Sequence, residues 1–442
     1  MKRFLSAFIA LVTLAWAWQL CSNAGSAVGV PANAWVAREH ALTLTGLWSF
    51  ALMSLTMVLA TRPVWLERPF GGMDRIYRVH KWAGILAIAF AALHWLVEMS
   101  DGLIKAVWGR EGRLPKDHGS SVLEAMRDVA EELGEFAIYA LLGMLVLTLW
   151  KRVPFRMWRY LHKVMPVLYL ALAFHTAFLA PLDYWTQPVG LMLAALIVAG
   201  SVASVRALMG WIGQGRRVGG VVESVAEPGQ GVTAVSCRLD GGWRGHRPGQ
   251  FAFASFERSE GAHPFTIASA DRGDRRVTFQ IKALGDYTRG LAQRLQPGQA
   301  MQLEGPYGCF NLPTGHEERD QVWIAGGIGV TPFIAWLEAL QAAPEQAPEA
   351  DFYYCVRDRE SDPFVARLDT LCAQLPSLRL QVISSAHEQT LSAAMLDDRA
   401  RKEAVTEVWF CGPRGLADSL RKGLHEMGVS RFRFHQEAFE MR

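Results

Sequence analysis

The chain has 442 residues, 51% of them hydrophobic, and a formal charge of +3. That length allows two or three domains, and that apolar content excludes a wholly water-soluble chain; with no basic stripe, nucleic acid is excluded as a partner. Six cysteines (Cys21, Cys237, Cys309, Cys355, Cys372 and Cys411) form no CxxC and no zinc or iron–sulfur spacing, which points to a reducing compartment around the soluble part.

The apolar excess ends near residue 212, so a membrane half precedes a soluble half. Six runs near 4–20, 41–60, 80–99, 134–150, 160–180 and 187–208 are long enough to cross a bilayer as helices. The first follows "MKR" and precedes "SNAGSA", as a signal peptide would, but its full length and Trp-rich end favour a retained span. Arg62, Arg68, Arg75, Arg78 and Lys81 follow the second run, and Lys151, Arg152, Arg156, Arg159 and Lys163 surround the start of the fifth. These loops are expected on the cytoplasmic side, together with the soluble half after "RRVGG". The mixed 100–133 segment, with its acidic helical stretch, is expected as an outer loop.

Two of these spans carry histidine pairs: His80 and His94 fourteen residues apart, His162 and His175 thirteen apart. Ionisable groups inside a membrane are costly and mark function, and imidazole is a common axial ligand of haem iron. At about 1.5 Å per residue each pair spans roughly 20 Å, so His80 and His162 share the inner level and His94 and His175 the outer one. Fourteen residues return to within about 40° of one helix face, whereas thirteen miss by about 140°. Pro166, between His162 and His175, is the residue that could rephase the helix.

The soluble half opens with strand-like segments, "VGGVVESVAE", "RPGQFAFASF" and "HPFTIAS". "VTFQIKALGDYTRGLAQRL" then reads as strand, turn at Gly285 and helix start, where exposed amides favour a phosphate. After "LEGPYGCF" strands alternate with helices. "QVWIAGGIGVTPFIAWLEAL" places Gly326, Gly327 and Gly329 between a strand and a helix that begins at Thr331, a dinucleotide-phosphate cradle without the GxGxxG spacing. "DFYYCVRD", "LRLQVISS" and "VWFCGP" supply further strands of a doubly wound parallel sheet.

With HPFT, GDYT, GPYG, GGIGVTP and CGP following the two histidine spacings in this order, the chain resembles the ferric reductase and NADPH oxidase family, including its bacterial members, from about residue 40 to 440. Its soluble half looks like the ferredoxin-NADP reductase superfamily. The resemblance implies a multi-domain membrane protein: an all-α six-helix transmembrane haem bundle (1–215), an antiparallel β-barrel FAD domain (216–315) and an α/β doubly wound NAD(P) domain (316–442). It implies that His263, Pro264, Phe265 and Thr266 hold FAD, with Thr266 near the reactive ring edge; that Lys282, Gly285, Asp286, Tyr287 and Thr288 hold its pyrophosphate; and that Gly305, Pro306, Tyr307 and Gly308 border its adenine side. Gly326, Gly327, Gly329 and Thr331 would cradle the nicotinamide nucleotide, Cys411, Gly412 and Pro413 would lie beside the nicotinamide, and Phe439 would cover the flavin. Arg357, just after a sheet strand, is placed to meet a 2'-phosphate and tilts the expectation to NADPH over NADH.

The implied activity is electron transfer from cytoplasmic NAD(P)H through FAD and two haems b, ligated by His80/His162 and His94/His175, to an acceptor outside the bacterial inner membrane. Ferric chelates lead as acceptor. Oxygen reduction to superoxide is the alternative, weakened because Glu98 stands where the oxygen-reducing relatives tend to carry another histidine, although Arg38 matches their outer arginine. A periplasmic protein acceptor and a proton-relay transporter with a regulatory soluble domain are the remaining readings.

Overall fold

A backbone in hydrocarbon must satisfy its own polar groups, so uncharged apolar runs of this length fold as helices. The computed structural model describes all residues except 1, 24–32, 112, 114–119, 151, 154, 258–259, 313–320, 388–389, 397–405, 429–431 and 438–442. They divide into two units, Met1–Pro63 with Arg75–Ile212, and Val64–Asp74 with Gly213–Arg442.

The chain runs through α1 (Lys2–Asn23), α2 (Ala34–Ala60), the short α3 (Val64–Phe70), α4 (Met73–Met99), α5 (Asp101–Trp108), α6 (Ser121–Leu149), α7 (Phe155–His162), α8 (Met165–Leu179) and α9 (Pro188–Leu208). Among the described residues six stretches are long and apolar enough to cross a membrane, as expected. They expose side chains such as Leu14, Phe136 and Leu191, the last 75% exposed, which suits a lipid surface and not water.

Two boundaries differ from expectation. The acidic stretch expected within the outer loop is the first part of α6, which begins at Ser121, because the Ser120 side chain caps it by accepting from the Leu123 amide at 3.3 Å. The fifth span is two helices, not one. Pro166 has no N–H and its ring clashes with the carbonyl four residues back, that of His162. The helix accordingly stops at His162, tightens through Lys163 N–H to Tyr160 O and Val164 N–H to Leu161 O, and restarts at Met165 with Pro166 in the first turn, where a missing donor costs nothing.

In the second unit, β1 (Arg217–Gly229), β2 (Val232–Leu239), β3 (Phe251–Ser255), β4 (His263–Thr266), β5 (Arg276–Lys282) and β6 (Ala300–Tyr307) form an antiparallel sheet of order β4-β3-β6-β1-β2-β5. Ile267, just past one edge strand, bridges Phe279 of the other edge, so the sheet closes into a barrel around Val235, Phe279, Ile281 and Leu303.

The remaining strands, β7 (Gln321–Gly326), β8 (Ala350–Val356), β9 (Leu378–Ser384), β10 (Thr406–Cys411) and β11 (Phe432–Glu437), pair in parallel in the order β11-β10-β7-β8-β9. Alternate residues of β7 enter opposite cores, Trp323 with Phe333 and Trp336, and Val322 and Ile324 with Phe410 and Leu420. Burial on both faces is why these strands read as unbroken apolar runs. The order reverses between β7 and β10, the topological switch point at which such sheets bind ligands beyond their carboxyl ends.

Candidate functional site

In the membrane-type unit the break before Pro166 brings all four histidines into two pairs. The His80 and His162 rings lie 6.2 Å apart between centroids, and those of His94 and His175 6.5 Å apart. Three of the rings are held from behind. Nδ1 of His80 donates to Thr56 O at 3.0 Å, Nδ1 of His94 to Leu42 O at 2.9 Å, and Nδ1 of His175 to Ala130 O at 2.7 Å. A ring fixed in this tautomer keeps Nε2 as its lone-pair nitrogen, available to a metal. His162 is instead stacked on Trp158 at 4.8 Å, and its Nδ1 has no hydrogen-bond partner among the described residues.

The His94/His175 pair also depends on two glycines that sequence reasoning missed. A Cβ on Gly134 would sit 2.4 Å from the His175 ring, and one on Gly46 would sit 3.1 Å from His94. A glycine within an apolar span was the available signal for both. Midway along the fifth span, Tyr169 stacks on Phe50 at 5.5 Å and donates to Leu196 O at 3.0 Å, with Ser54 at 2.9 Å from the same hydroxyl. Arg38 and Glu98, singled out separately in the sequence, form one ion pair at 2.8 Å; the same guanidinium also donates to Glu98 O.

In the second unit, His263, Pro264, Phe265 and Thr266 form β4, paired to β3, and the His263 ring lies flat on Tyr287 at 4.0 Å. Lys282 ends β5. The Gly285 turn corrects one expectation. The helix beyond it is only Leu291–Arg294, and the amides of Leu284 and Gly285 are already bound by Thr288 Oγ1 at 3.0 and 3.1 Å, because a threonine three residues on folds back over the turn. These two amides are therefore not free phosphate donors, although a Cβ on Gly285 would meet nothing within 4 Å and Asp286 projects into the open. Gly305, Pro306 and Tyr307 close β6, and Gly308 follows with φ of +109°.

At the switch point the nucleotide-type motifs meet. A Cβ on Gly329 would lie 2.2 Å from Cys411 O, and one on Gly326 2.5 Å from Pro413, so the GGxG turn after β7 and the CGP turn after β10 need their glycines to pass each other. A Cβ on Gly412 would lie 2.9 Å from the Gly326 nitrogen. The Thr331 hydroxyl donates to Ile328 O at the start of the Thr331–Leu340 helix. Cys411 is fully buried, and burial pushes its thiol well above the ordinary range, so it packs as a neutral group. Arg357 is exposed at the end of β8, where Ser384 and Ser385 hydroxyls donate to its carbonyl. Phe439 lies outside the described residues. Among them no group of three or more His, Cys, Asp or Glu is arranged to hold a metal ion.

Comparison with known proteins follows the same division. Residues 45–173 match the family described as ferric reductase like transmembrane component, residues 232–324 an FAD-binding domain and residues 323–422 an oxidoreductase NAD-binding domain. The chain is 26% identical over 200 residues to the anthranilate 1,2-dioxygenase electron transfer component of Acinetobacter baylyi, covering 43% of this chain and 57% of that protein. It is 28% identical over 179 residues to a flavohemoprotein of Pseudomonas putida, covering 38% and 44%. The chain thus spans about half the length of these curated relatives. Among solved structures, a flavohemoglobin from Malassezia yamatoensis aligns with a TM-score of 0.49 and 15% identity over 89% of this chain and 96% of its own. The chain joins a ferric reductase like transmembrane component to FAD- and NAD-binding oxidoreductase domains, a combination consistent with the ferric reductase and NADPH oxidase type.

Proposed function

We propose that this chain is a transmembrane NAD(P)H-dependent oxidoreductase that passes electrons through FAD and two bis-histidine haems to an acceptor on the far side of a bacterial inner membrane. The observation that carries the reading is the close approach of the imidazoles in two separate pairs. Two metal–nitrogen bonds of about 2 Å and two ring radii of about 1 Å separate the centroids of opposed ligands by about 6 Å. The observed 6.2 and 6.5 Å suit that arrangement, and the carbonyls behind three of the rings suit metal-bound Nε2. The residues therefore fit haem, which when bound supplies one-electron chemistry. His80 with His162 and His94 with His175 would hold the haems, and electron transfer is the chemistry the haems would supply there.

The proposal places the membrane unit in 1–215, the FAD domain in 216–315 and the NAD(P) domain in 316–442, with both soluble domains cytoplasmic by their flanking Arg and Lys residues. His263 to Thr266, Lys282, Gly285 to Thr288 and Gly305 to Gly308 hold FAD; Gly326, Gly327, Gly329, Thr331, Gly412 and Pro413 hold the nucleotide, beside Cys411. Arg357, exposed just after β8, is the proposed 2'-phosphate contact. Arg357→Ala is expected to raise KM for NADPH about tenfold, the worth of one charge-assisted contact, with KM for NADH unchanged. Steady-state kinetics with both nucleotides test this.

Ferric chelates are the favoured acceptor. Glu98 takes up the charge of Arg38 at the outer end, one turn beyond His94, and leaves no second histidine there to serve oxygen. The purified chain with NADPH is expected to reduce ferric citrate directly. Reduction of cytochrome c that superoxide dismutase abolishes, without ferric citrate turnover, would instead favour oxygen.

A further inference from the structure

Two buried carboxylates reach one turn of the second unit, with a third in electrostatic reach, and none of the three belongs to the motifs described above. Glu67 lies on α3, in the segment between the second and third long helices, and is 6% exposed. Its Oε1 accepts the Gly308 amide at 2.6 Å. Glu437, the last residue of β11 and 8% exposed, reaches the same residue from another side: its Oε1 lies 3.5 Å from where a Cβ on Gly308 would stand. Oε2 of Glu437 has no hydrogen-bond partner among the described residues. Asp74, 9% exposed, adds a third carboxylate. Arg216 faces this group from the other direction, donating to Pro306 O and lying over the Tyr307 ring at 5.3 Å.

We propose that Glu67 is a positioning residue for the Gly308 turn and that Glu67 and Glu437 share a single proton there, Glu67 as the ionised anchor and Glu437 as the neutral acid. This rests on the assignment of Gly305 to Gly308 to the flavin. Buried carboxylates that reach the same turn resist ionising together. Burial raises the Glu67 carboxyl above the ordinary range, helped by Asp74, but the Gly308 amide and Arg216 oppose the rise and favour its charge. Glu437 has nothing of the kind: burial first, then Asp74 and Glu67, push its carboxyl well above the ordinary range. The other titratable groups in reach are Cys309, which feels Arg68 as well as the carboxylates, and Cys411; burial raises both thiols, so both stay neutral. A carboxyl raised in the folded state contributes stability that is complete below its unfolded pKa and is lost as pH rises through the folded one. Glu437 therefore destabilises the unit increasingly above the unfolded carboxylate range, and Glu437→Gln removes that loss.

The test uses the purified full-length protein in detergent. Infrared difference spectra are expected to show a protonated carboxyl band that persists at pH 8 and disappears in Glu437→Gln. In Glu67→Gln the band is expected to titrate at lower pH, because the neighbouring negative charge is gone. Glu437→Gln is also expected to raise Tm at pH 8 and not at pH 4. FAD retention is expected to weaken about tenfold in Glu67→Ala and to be rescued in Glu67→Gln, whose amide oxygen still accepts from Gly308. A wild-type band absent at pH 8, or unmoved by Glu67→Gln, overturns the shared proton. Equal FAD loss in the Ala and Gln variants overturns the positioning role. Unchanged FAD affinity in both, with the infrared results as expected, overturns the flavin assignment of the turn and leaves the proton pair standing.

Discussion

His94→Ala is expected to remove one haem of two and to slow reduction of ferric citrate by at least about 100-fold, since it deletes a ligand outright where the loss of a mere supporting contact costs 10–100-fold. Reduction of FAD by NADPH is expected to continue at the wild-type rate, because the flavin and nucleotide motifs lie wholly in the other unit. Gly134→Ala tests the same level without deleting a ligand. Its methyl would stand 2.4 Å from the His175 ring, inside any tolerated contact, and the ring must leave its bond to Ala130 O. Haem content and stopped-flow flavin bleaching check both variants. Loss of flavin reduction in either one would contradict the modular arrangement.

Gly329→Ala is expected to give the mirror result: NADPH-driven flavin reduction falls by about 100-fold, the cost of misplacing bound groups by about 1 Å. The added methyl would lie 2.2 Å from Cys411 O, so the turns after β7 and β10 must part at the switch point where the nucleotide is proposed to bind. Haem content, and haem reduction by dithionite, are expected to stay at the wild-type level. Full NADPH activity in this variant would remove the GGxG turn from the nucleotide site.

The features legible in the sequence were those written in periodicity or in glycine: six apolar runs, the parallel strands buried on both faces, the GGxG and CGP turns, and the histidine spacings. The thirteen-residue pair was legible only as a contradiction, since helix geometry put His162 and His175 on different faces. The break at Lys163 and Val164 removes it, and the proline responsible was visible. Contacts set by backbone carbonyls were not visible, because Thr56, Leu42 and Ala130 act on the histidines through atoms every residue possesses. The Gly285 turn misled for a related reason: Thr288 takes two amides that the motif appeared to offer a phosphate. Strand β11 was missed since "FRFHQE" alternates with charges at a sheet edge, and Glu67 was one acid in a basic loop until folding placed it on Gly308.

The central claim is that each facing histidine pair holds one haem and that both accept electrons from NAD(P)H by way of FAD. The most direct measurement is the visible spectrum of the purified chain in detergent, with haem and flavin quantified, recorded before and after NADPH is added under exclusion of oxygen. The expected result is two haems per FAD, both low-spin and both reduced by NADPH. A chain that binds FAD but carries no haem, or haem that dithionite reduces and NADPH does not, would contradict the account.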